Sequence, residues 1–483
     1  MKNNSFVRSA LLGAVLFLAT SLHAQTTLYF QNFETSKTAI PAGWAQQKAA
    51  ADPTNKGWEF GNKYPGALAT YVPAHTYYAF VDDYDYNTTV VANNDTLYSP
   101  SINCTGQNHV FVSFDAMFYL YNGSEVANLA VSNDGGKTWA TVSTGGLPNN
   151  SFTWQDSLVY DISSYAANKA NVMLAFAYFN GCPNGYNAPG VGMAIDNVDV
   201  FAPVTYDLSV TGQNLPYLMQ AGSPYTFTGT IENFGGDSVV SMHLNYSVNG
   251  GPAQTDNITA IAGFNGLTTY SFSHSITYTP PSAGAYTVKF WADNLNGANV
   301  DANHKNDTLV ARFMAITTIQ PKMALLEEFT NASCNPCMYA VPNVDSVCAN
   351  TQSIANSFRY HVWFPGRDFM DDETKASFVS TRFTYYNGTG GGVPDAQLDG
   401  KYLYPGSAGP GSLSSAYVQQ AAAIGSPFTI NISAATYDPS THTFALSANI
   451  TAYGNFPAGI TAQVALSVDT ITYKYDQSQE DPQ

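Results

Sequence analysis

Apolar and polar positions alternate over short runs through the first two-thirds of the chain. "HVFVSFDAMFYLY" (109–121), "EVANLAVSNDGGKTWATV" (125–142), "NVMLAFAYF" (171–179) and "GMAIDNVDVFA" (192–202) are runs of this kind, rich in aromatic and β-branched residues. That period predicts half-buried strands, and turn clusters between the runs predict an all-β sandwich over 25–203. "APVTYDLSV" reads as a linker into a second β-unit, 204–316, whose runs extend from "YTFTGTIENFG" to "DTLVARFMA". Turn signals every 8 to 12 residues suit an immunoglobulin-like sandwich there. The pattern changes over 320–425. "MALLEEFT" and "SFRYHVWF" read as buried strands, whereas "CMYAVPNVDSVCANTQSIA", "DDETKASFVSTRFTYY" and "SLSSAYVQQAAAI" read as helices. Alternating strand and helix predicts an α/β domain. From 426 to 483 strands return, too few for a closed sandwich, and the stop at "SQEDPQ" suggests a fragment of a longer protein that lacks a C-terminal anchoring segment.

The beginning of the chain changes where this protein is expected to work. Residues 1–24 carry Lys2, Arg8, the run "ALLGAVLFLATSL" and then Leu22-His23-Ala24 before Gln25, the layout of a cleaved secretory signal. No cysteine precedes Cys104, so the cleaved terminus has no sulfur for a lipid anchor. No later apolar run approaches the roughly 18 residues needed to span a bilayer. Export is expected, to the outer membrane, the cell surface or the medium, with the periplasm as the other destination. Charged residues make up 11% of the chain, against about 25% in an average soluble protein. With 35 acidic and 18 basic residues the net charge is −17, which disfavours nucleic acid and anionic membranes as partners.

Candidate chemistry centres on "NASCNPCMYA", where Cys334 and Cys337 stand between a predicted strand and a predicted helix. Unpaired N–H groups and the macrodipole at a helix N-terminus stabilise a thiolate. Cys334 would be the nucleophile and Cys337, one turn on, the resolving thiol; Asn335-Pro336 restrains the loop because proline fixes φ. The total is five cysteines: Cys104 and Cys182 could pair, and Cys348, on a helical face with Val341 and Val344, reads as a buried thiol. A zinc clip needs about four ligands, and only His361 and Cys348 could be recruited to help the dithiol. Glu327 and Glu328, adjacent on a strand, should point to opposite faces.

Resemblances sharpen this reading. "NFETSKTAIPAGW", "DTLYSPSI", "VSNDGGKTW", "YDISSYA" and "AIDNVDV" resemble the jelly-roll domains related to MAM domains, called choice-of-anchor domains, of bacterial surface proteins. Such domains bind or present. The resemblance implies that Glu34 and Asp196, near the first and last strands, would hold a structural calcium ion, a hard cation that gathers oxygens from separate loops. "SNDGGKTW" fits the Asp-box turn of sialidase propellers, but a single copy reads as a hairpin tip and not as an active site. "DANHKNDT" resembles the CARDB domains related to bacterial adhesion, implying a spacer or docking module.

"ALLEEFTNASCNPC" resembles the strand and active-site loop of thioredoxins, and "GVPDAQLDGK" their Val-Pro strand. That resemblance implies Glu328 as the buried acid serving Cys337, Pro394 as a cis proline facing the dithiol, and Val393 as the residue offering backbone hydrogen bonds to a peptide substrate. Ser333 replaces the usual tryptophan before the first cysteine, Thr330 stands where an aromatic is common, and "WFPGRDFMDDE" is an insertion. Residues 320–483 together resemble a bacterial surface family related to a twenty-eight-kilodalton outer membrane protein. The expected chain is multidomain: a jelly roll, an immunoglobulin-like sandwich, a thioredoxin-like α/β domain and a partial β-sandwich. Two functions fit it. One is thiol-disulfide exchange on protein thiols and disulfides, requiring no cofactor. The other is binding of cell-surface ligands by an adhesion protein in which Cys334 and Cys337 form only a structural disulfide.

Overall fold

The computed structural model describes residues 25–35, 37–48, 56–63, 75–82, 94–120, 125–150, 153–180, 192–368, 370, 377–387, 392–400, 410–456 and 460–464. The expected signal segment, 1–24, lies outside them, as does Cys182. Among the described residues the first domain contains strands β1 (Gln25–Gln31), β2 (Ala45–Gln47), β3 (Trp58–Gly61), β4 (Tyr78–Asp82), β5 (Asn94–Tyr98), β6 (Phe111–Tyr119), β7 (Val126–Ser132), β8 (Ala140–Thr141), β9 (Gln155–Asp161), β10 (Met173–Phe179) and β11 (Gly192–Pro203). They make one sheet in the order β3-β4-β11-β6-β9, with β1 also on β11, and another in the order β2-β5-β10-β7-β8.

The period-2 pattern sorts the first sheet's faces. Ala79, Val81, Val112, Phe114, Ala116, Met193 and Ile195 join the main core together with Leu129, Val131, Leu174 and Phe176 of the second sheet. The alternate positions, Tyr78, Phe80, Met117 and Ala194, form a separate small cluster on the other face, with Trp154 packed against it. Asp115 and Asp196 are register partners on β6 and β11, and they belong to that same alternate set. Immediately after Asp196 the register shifts, at Asn197 with φ 51°. Cys104 is a wholly buried free thiol in the core of this domain, where burial pushes its pKa up to about 11.

The expected Asp-box turn joins β7 to β8. Asp134 accepts hydrogen bonds from the N–H groups of Lys137 and Thr138, both at 3.0 Å, and from the Thr138 hydroxyl at 2.7 Å. These donors, led by Thr138, hold the exposed carboxyl well below the usual range. The side chain is committed to its own turn, which is a structural use.

The second domain contains β12 (Leu208–Gln213), β13 (Leu218–Gln220), β14 (Thr228–Asn233), β15 (Met242–Val248), β16 (Gln254–Ile258), β17 (Thr268–Ser273), β18 (Gly284–Asp293) and β19 (Leu309–Ile316). The sheets are β12-β14-β17 and β13-β19-β18-β15-β16. Phe227, Tyr246 and Phe290 meet edge to face between them, at centroid distances of 4.9 to 5.3 Å for the two contacts of Phe227. Buried Asp301 accepts from the N–H groups of Leu208 and Asn303. Burial, outweighing those bonds, pushes its carboxyl up to about 7, with Asp307 and Asp207 adding repulsion. A carboxyl raised on folding stabilises the fold below its unfolded pKa of about 3.9, and this contribution is lost as pH rises through the folded value. We therefore expect this domain to be more stable at pH 5 than at pH 8. Hydrogen exchange of its peptides across a urea series at the two pH values measures the difference.

The third region holds a three-stranded sheet, β21-β20-β22, made of β20 (Ala324–Thr330), β21 (Ala355–His361) and β22 (Asp395–Leu398). β20 runs parallel to β21 and antiparallel to β22. Ala324 and Leu326 pack under the helices Asn335–Thr351 and Ser415–Ala423 through Val344, Val347, Val418 and Ala421. Phe329, on the opposite face, packs with Val379 and Phe383 of the helix Ser377–Asn387. The acidic start expected for that helix lies outside the described residues. Pro342 sits inside the first of these helices. Lacking an N–H, it leaves the carbonyl of Met338 without its helical donor; Met338 is exposed, so water can serve that carbonyl.

After this sheet, β23 (Phe428–Asp438) and β24 (Thr443–Ala452) pair as a two-stranded antiparallel ribbon. Of the strands expected over 426–483, these two are the ones found among the described residues, and residues 460–464 join no sheet.

Candidate dithiol site

Cys334 and Cys337 are joined by a disulfide with S–S 2.05 Å. The sulfurs are therefore bonded to each other and offer no thiolate to the zinc clip weighed from the sequence. Cys334 caps the helix Asn335–Thr351, and its Sγ accepts the N–H of Cys337 at 3.1 Å. The Ser-Cys-Asn-Pro sequence starts a helix here because Pro336 occupies its first turn, where the missing N–H would have had no partner. The Cys334 sulfur lies 3.5 Å from the carbonyl oxygen of Val393. The Val393-Pro394 peptide is cis, as is Phe364-Pro365. Strand β22, starting at Asp395 and paired to β20, brings this carbonyl to the dithiol.

The loop before Cys334 is clamped by the insertion after β21. Asn331 Nδ2 donates to the carbonyls of Val362 (2.7 Å) and Gly366 (3.0 Å), while its Oδ1 accepts from Ser333 N–H (2.7 Å). Ser333 Oγ donates to Arg367 O at 2.6 Å. Asp368, buried, accepts from Ala332 N–H at 2.7 Å and lies 2.8 Å from His361 Nδ1. The approach is close: a Cβ on Gly366 would sit 2.8 Å from that of Ser333. Sequence reasoning noticed the insertion but not this role. Its signal was Ser333 itself, a small hydroxyl residue where a bulky tryptophan would block the clamp. His361 is thus a partner of Asp368.

Glu327 and Glu328 have separate partners. Glu327 receives hydrogen bonds from Arg382 Nε (2.8 Å), Tyr360 (2.9 Å) and Tyr386. Burial raises its pKa, but the bonds from Arg382, Tyr386 and Tyr360 outweigh burial and hold it below the ordinary value. Glu328, on the face of β20 that carries the dithiol helix, accepts from Arg359 Nε at 2.7 Å, and Arg359 also reaches Asp345 on that helix. Burial pushes the Glu328 carboxyl up, against the pull of Arg359. Its Oε1 is buried and has no hydrogen-bond partner among the described residues. Cys348 is half-buried beside this group, with its thiol pKa raised mainly by burial.

Glu34 and Asp196 both hold the segment 75–77. Glu34 Oε1 accepts from Tyr77 N–H at 3.0 Å. Asp196 Oδ2 takes the Thr76 hydroxyl at 3.0 Å and His75 Nδ1 at 2.9 Å, and Oδ1 takes Asn197 N–H at 2.7 Å. A calcium cage gathers about six to eight oxygens around the ion. The two residues supply at most four carboxylate oxygens, so a calcium ion held here would need further oxygens from neighbouring loops. The sequence reading missed His75, Asp115 and Asp156, whose ligand atoms lie within 4.8 Å of one another. Their signal was Asp115, a charge on the outward parity of "FVSFDAMF".

Residues 205–310 match the CARDB family model, so the second domain is a CARDB domain. No curated protein matches the chain. Among solved structures, the chain is similar to the CARDB domain of a Pyrococcus furiosus protein solved with di-metal ions. That match has 18% identity over 23% of this chain and 90% of that one, with a TM-score of 0.18. It is also similar to the K1 cleaved adhesin domain of Lys-gingipain from Porphyromonas gingivalis, at 18% identity over 36% and 96% with a TM-score of 0.25. A third likeness, to β-glucuronidase from Parabacteroides merdae, has 11% identity over 63% and 43% with a TM-score of 0.25. Scores this low establish no shared fold. No helix among the described residues is long and apolar enough to cross a membrane.

Proposed function

We propose that this chain is an exported surface protein whose third domain is thioredoxin-like and exchanges disulfides with protein clients. The observation that carries this reading is the position of Cys334: it caps a helix, and the N–H of Cys337 is directed at its sulfur. After reduction that N–H and the helix dipole would stabilise the Cys334 thiolate. The thiolate attacks one sulfur of a client disulfide, releasing the other as a client thiolate. Cys337, deprotonated, then attacks Cys334 Sγ, closing the protein's disulfide and releasing the second client thiol. Two electrons pass from the dithiol to the client. Val393, whose carbonyl stands beside the sulfur, supplies the backbone to which an extended client would pair. The CARDB domain and the jelly roll would localise the protein or present its clients, in keeping with the resemblance to the twenty-eight-kilodalton outer membrane protein family.

A second reading, a surface adhesion protein with a structural disulfide, is favoured by burial: Cys334 is 4% exposed and Cys337 2%. Reduction and alkylation separate the two. For exchange, Cys334 of the reduced full chain should alkylate well below the free-thiol pKa of about 8.5, and Cys337→Ser should accumulate mixed disulfides with insulin. Alkylation of Cys334 only at free-thiol rates, without insulin reduction, would leave the adhesion reading standing.

A further inference from the structure

On the outer face of the first sheet, four side chains gather from separate strands and loops: His75 before β4, Asp115 on β6, Asp156 on β9 and Asp196 on β11. Wholly buried Asp196 holds His75 through Nδ1 at 2.9 Å. The indole of Trp154 lies against the imidazole, with ring centroids 4.1 Å apart. The ring is therefore fixed on two sides, and Nε2 is left without a hydrogen bond among the described residues. It lies 3.7 Å from Asp115 Oδ2. That is too long for a hydrogen bond, which would need about 2.7 to 3.2 Å. Two ligands bound at about 2.0 to 2.2 Å to one ion stand at such a separation. Asp115 is itself aimed from behind, by Asn197 Nδ2 at 2.7 Å and Ser157 N–H at 2.8 Å. Asp156 is exposed and makes no hydrogen bond or ion pair among the described residues, so its carboxylate is available.

We infer that His75, Asp115 and Asp156 bind one divalent transition-metal ion of the zinc class, with Asp196 as the carboxylate that orients the histidine. A carboxylate on one imidazole nitrogen commits the other to the metal and raises its basicity. The donor set decides the class of ion. An imidazole nitrogen with two carboxylates suits zinc or its neighbours, whereas calcium takes oxygens almost exclusively and magnesium keeps its water. Charge agrees, because the three carboxylates face one imidazole, and His75 is the one ion-pair partner of Asp115 and Asp196 among the described residues.

Zinc alone is the probe, titrated calorimetrically into the chelator-treated, oxidised full chain, in which Cys334 and Cys337 cannot ligate. Wild type should bind one zinc ion at a site that His75→Ala and Asp156→Asn each weaken at least tenfold. Asp156→Asn is the decisive variant, since an exposed side chain without hydrogen bonds leaves the fold intact; its melting temperature in chelator should equal that of wild type. Calcium should compete at least a hundredfold less well. Failure of wild type to bind zinc, binding unchanged in Asp156→Asn, or equal competition by calcium would overturn the site and leave an ordinary histidine-aspartate ion pair.

Discussion

Arg382→Leu should destabilise the third domain by about 3 kcal/mol, the lower end of the cost of stripping one partner from a buried ion pair. Glu327 is 1% exposed and would be left with only the hydroxyls of Tyr360 and Tyr386. Glu327→Leu should cost less. The side chain of Arg382 keeps 29% of its exposure, so its guanidinium can turn to water when the carboxylate is gone. The double variant Glu327→Leu/Arg382→Leu should recover much of the Arg382→Leu loss, because it leaves no buried charge without a partner. pH gives an independent check. Since Glu327 is held below its ordinary pKa, the network's contribution is full above the unfolded carboxyl value and is lost as pH falls through the folded one. The gap between wild type and Arg382→Leu should therefore close in acid. Hydrogen exchange of the 324–330 and 355–361 peptides across a urea series reads all of these. A double variant no more stable than Arg382→Leu would assign the loss to packing instead of charge.

The adjacent glutamates also show what a sequence can and cannot disclose. Their opposite orientation follows from strand geometry alone, and the structure gives them disjoint partners. Which of them meets Arg382 and which Arg359 depends on a strand and a helix that supply these partners 31 and 55 residues later, contacts that no local pattern encodes. The same holds for His75. Alternation put Asp115 on the outward face, but the pairing of β6 with β11 places Asp196 beside it, and the loop before β4 then delivers the imidazole. A resemblance pointed to Asp196 as a calcium ligand; in the structure it meets His75, Thr76 and Asn197. At the dithiol the local signals were stronger, because a helix cap, a proline in the first turn and a buried strand are all short-range features. The clamp from Asp368 and Asn331 was not short-range, and it came from an insertion with no counterpart in the pattern being matched.

Under the proposed disulfide exchange, Glu328→Gln should slow turnover of a disulfide client by about a hundredfold, the lower bound usual for a lost general base, while forming the mixed disulfide at an unchanged rate. The reason lies in Oε1, a buried carboxylate oxygen without a hydrogen-bond partner among the described residues, on the face of β20 covered by the dithiol helix. An acceptor in that state is poised to take a proton, and the proton the reaction must lose is that of Cys337 when it attacks Cys334. Burial has already raised the affinity of Glu328 for this proton, so the resolving step should fall off on the acid side at a pH above the ordinary carboxylate range. In Glu328→Gln that limb should vanish, since the amide does not titrate. Arg359 retains Asp345, so the variant does not leave its guanidinium unpaired. Glu328→Asp, which keeps the charge on a shorter stem, should restore part of the rate. Equal slowing of both steps in Glu328→Gln would mean that the residue only holds the strand and helix together. Slowing of the resolving step alone, with the acid limb gone, would identify it as the proton acceptor for Cys337.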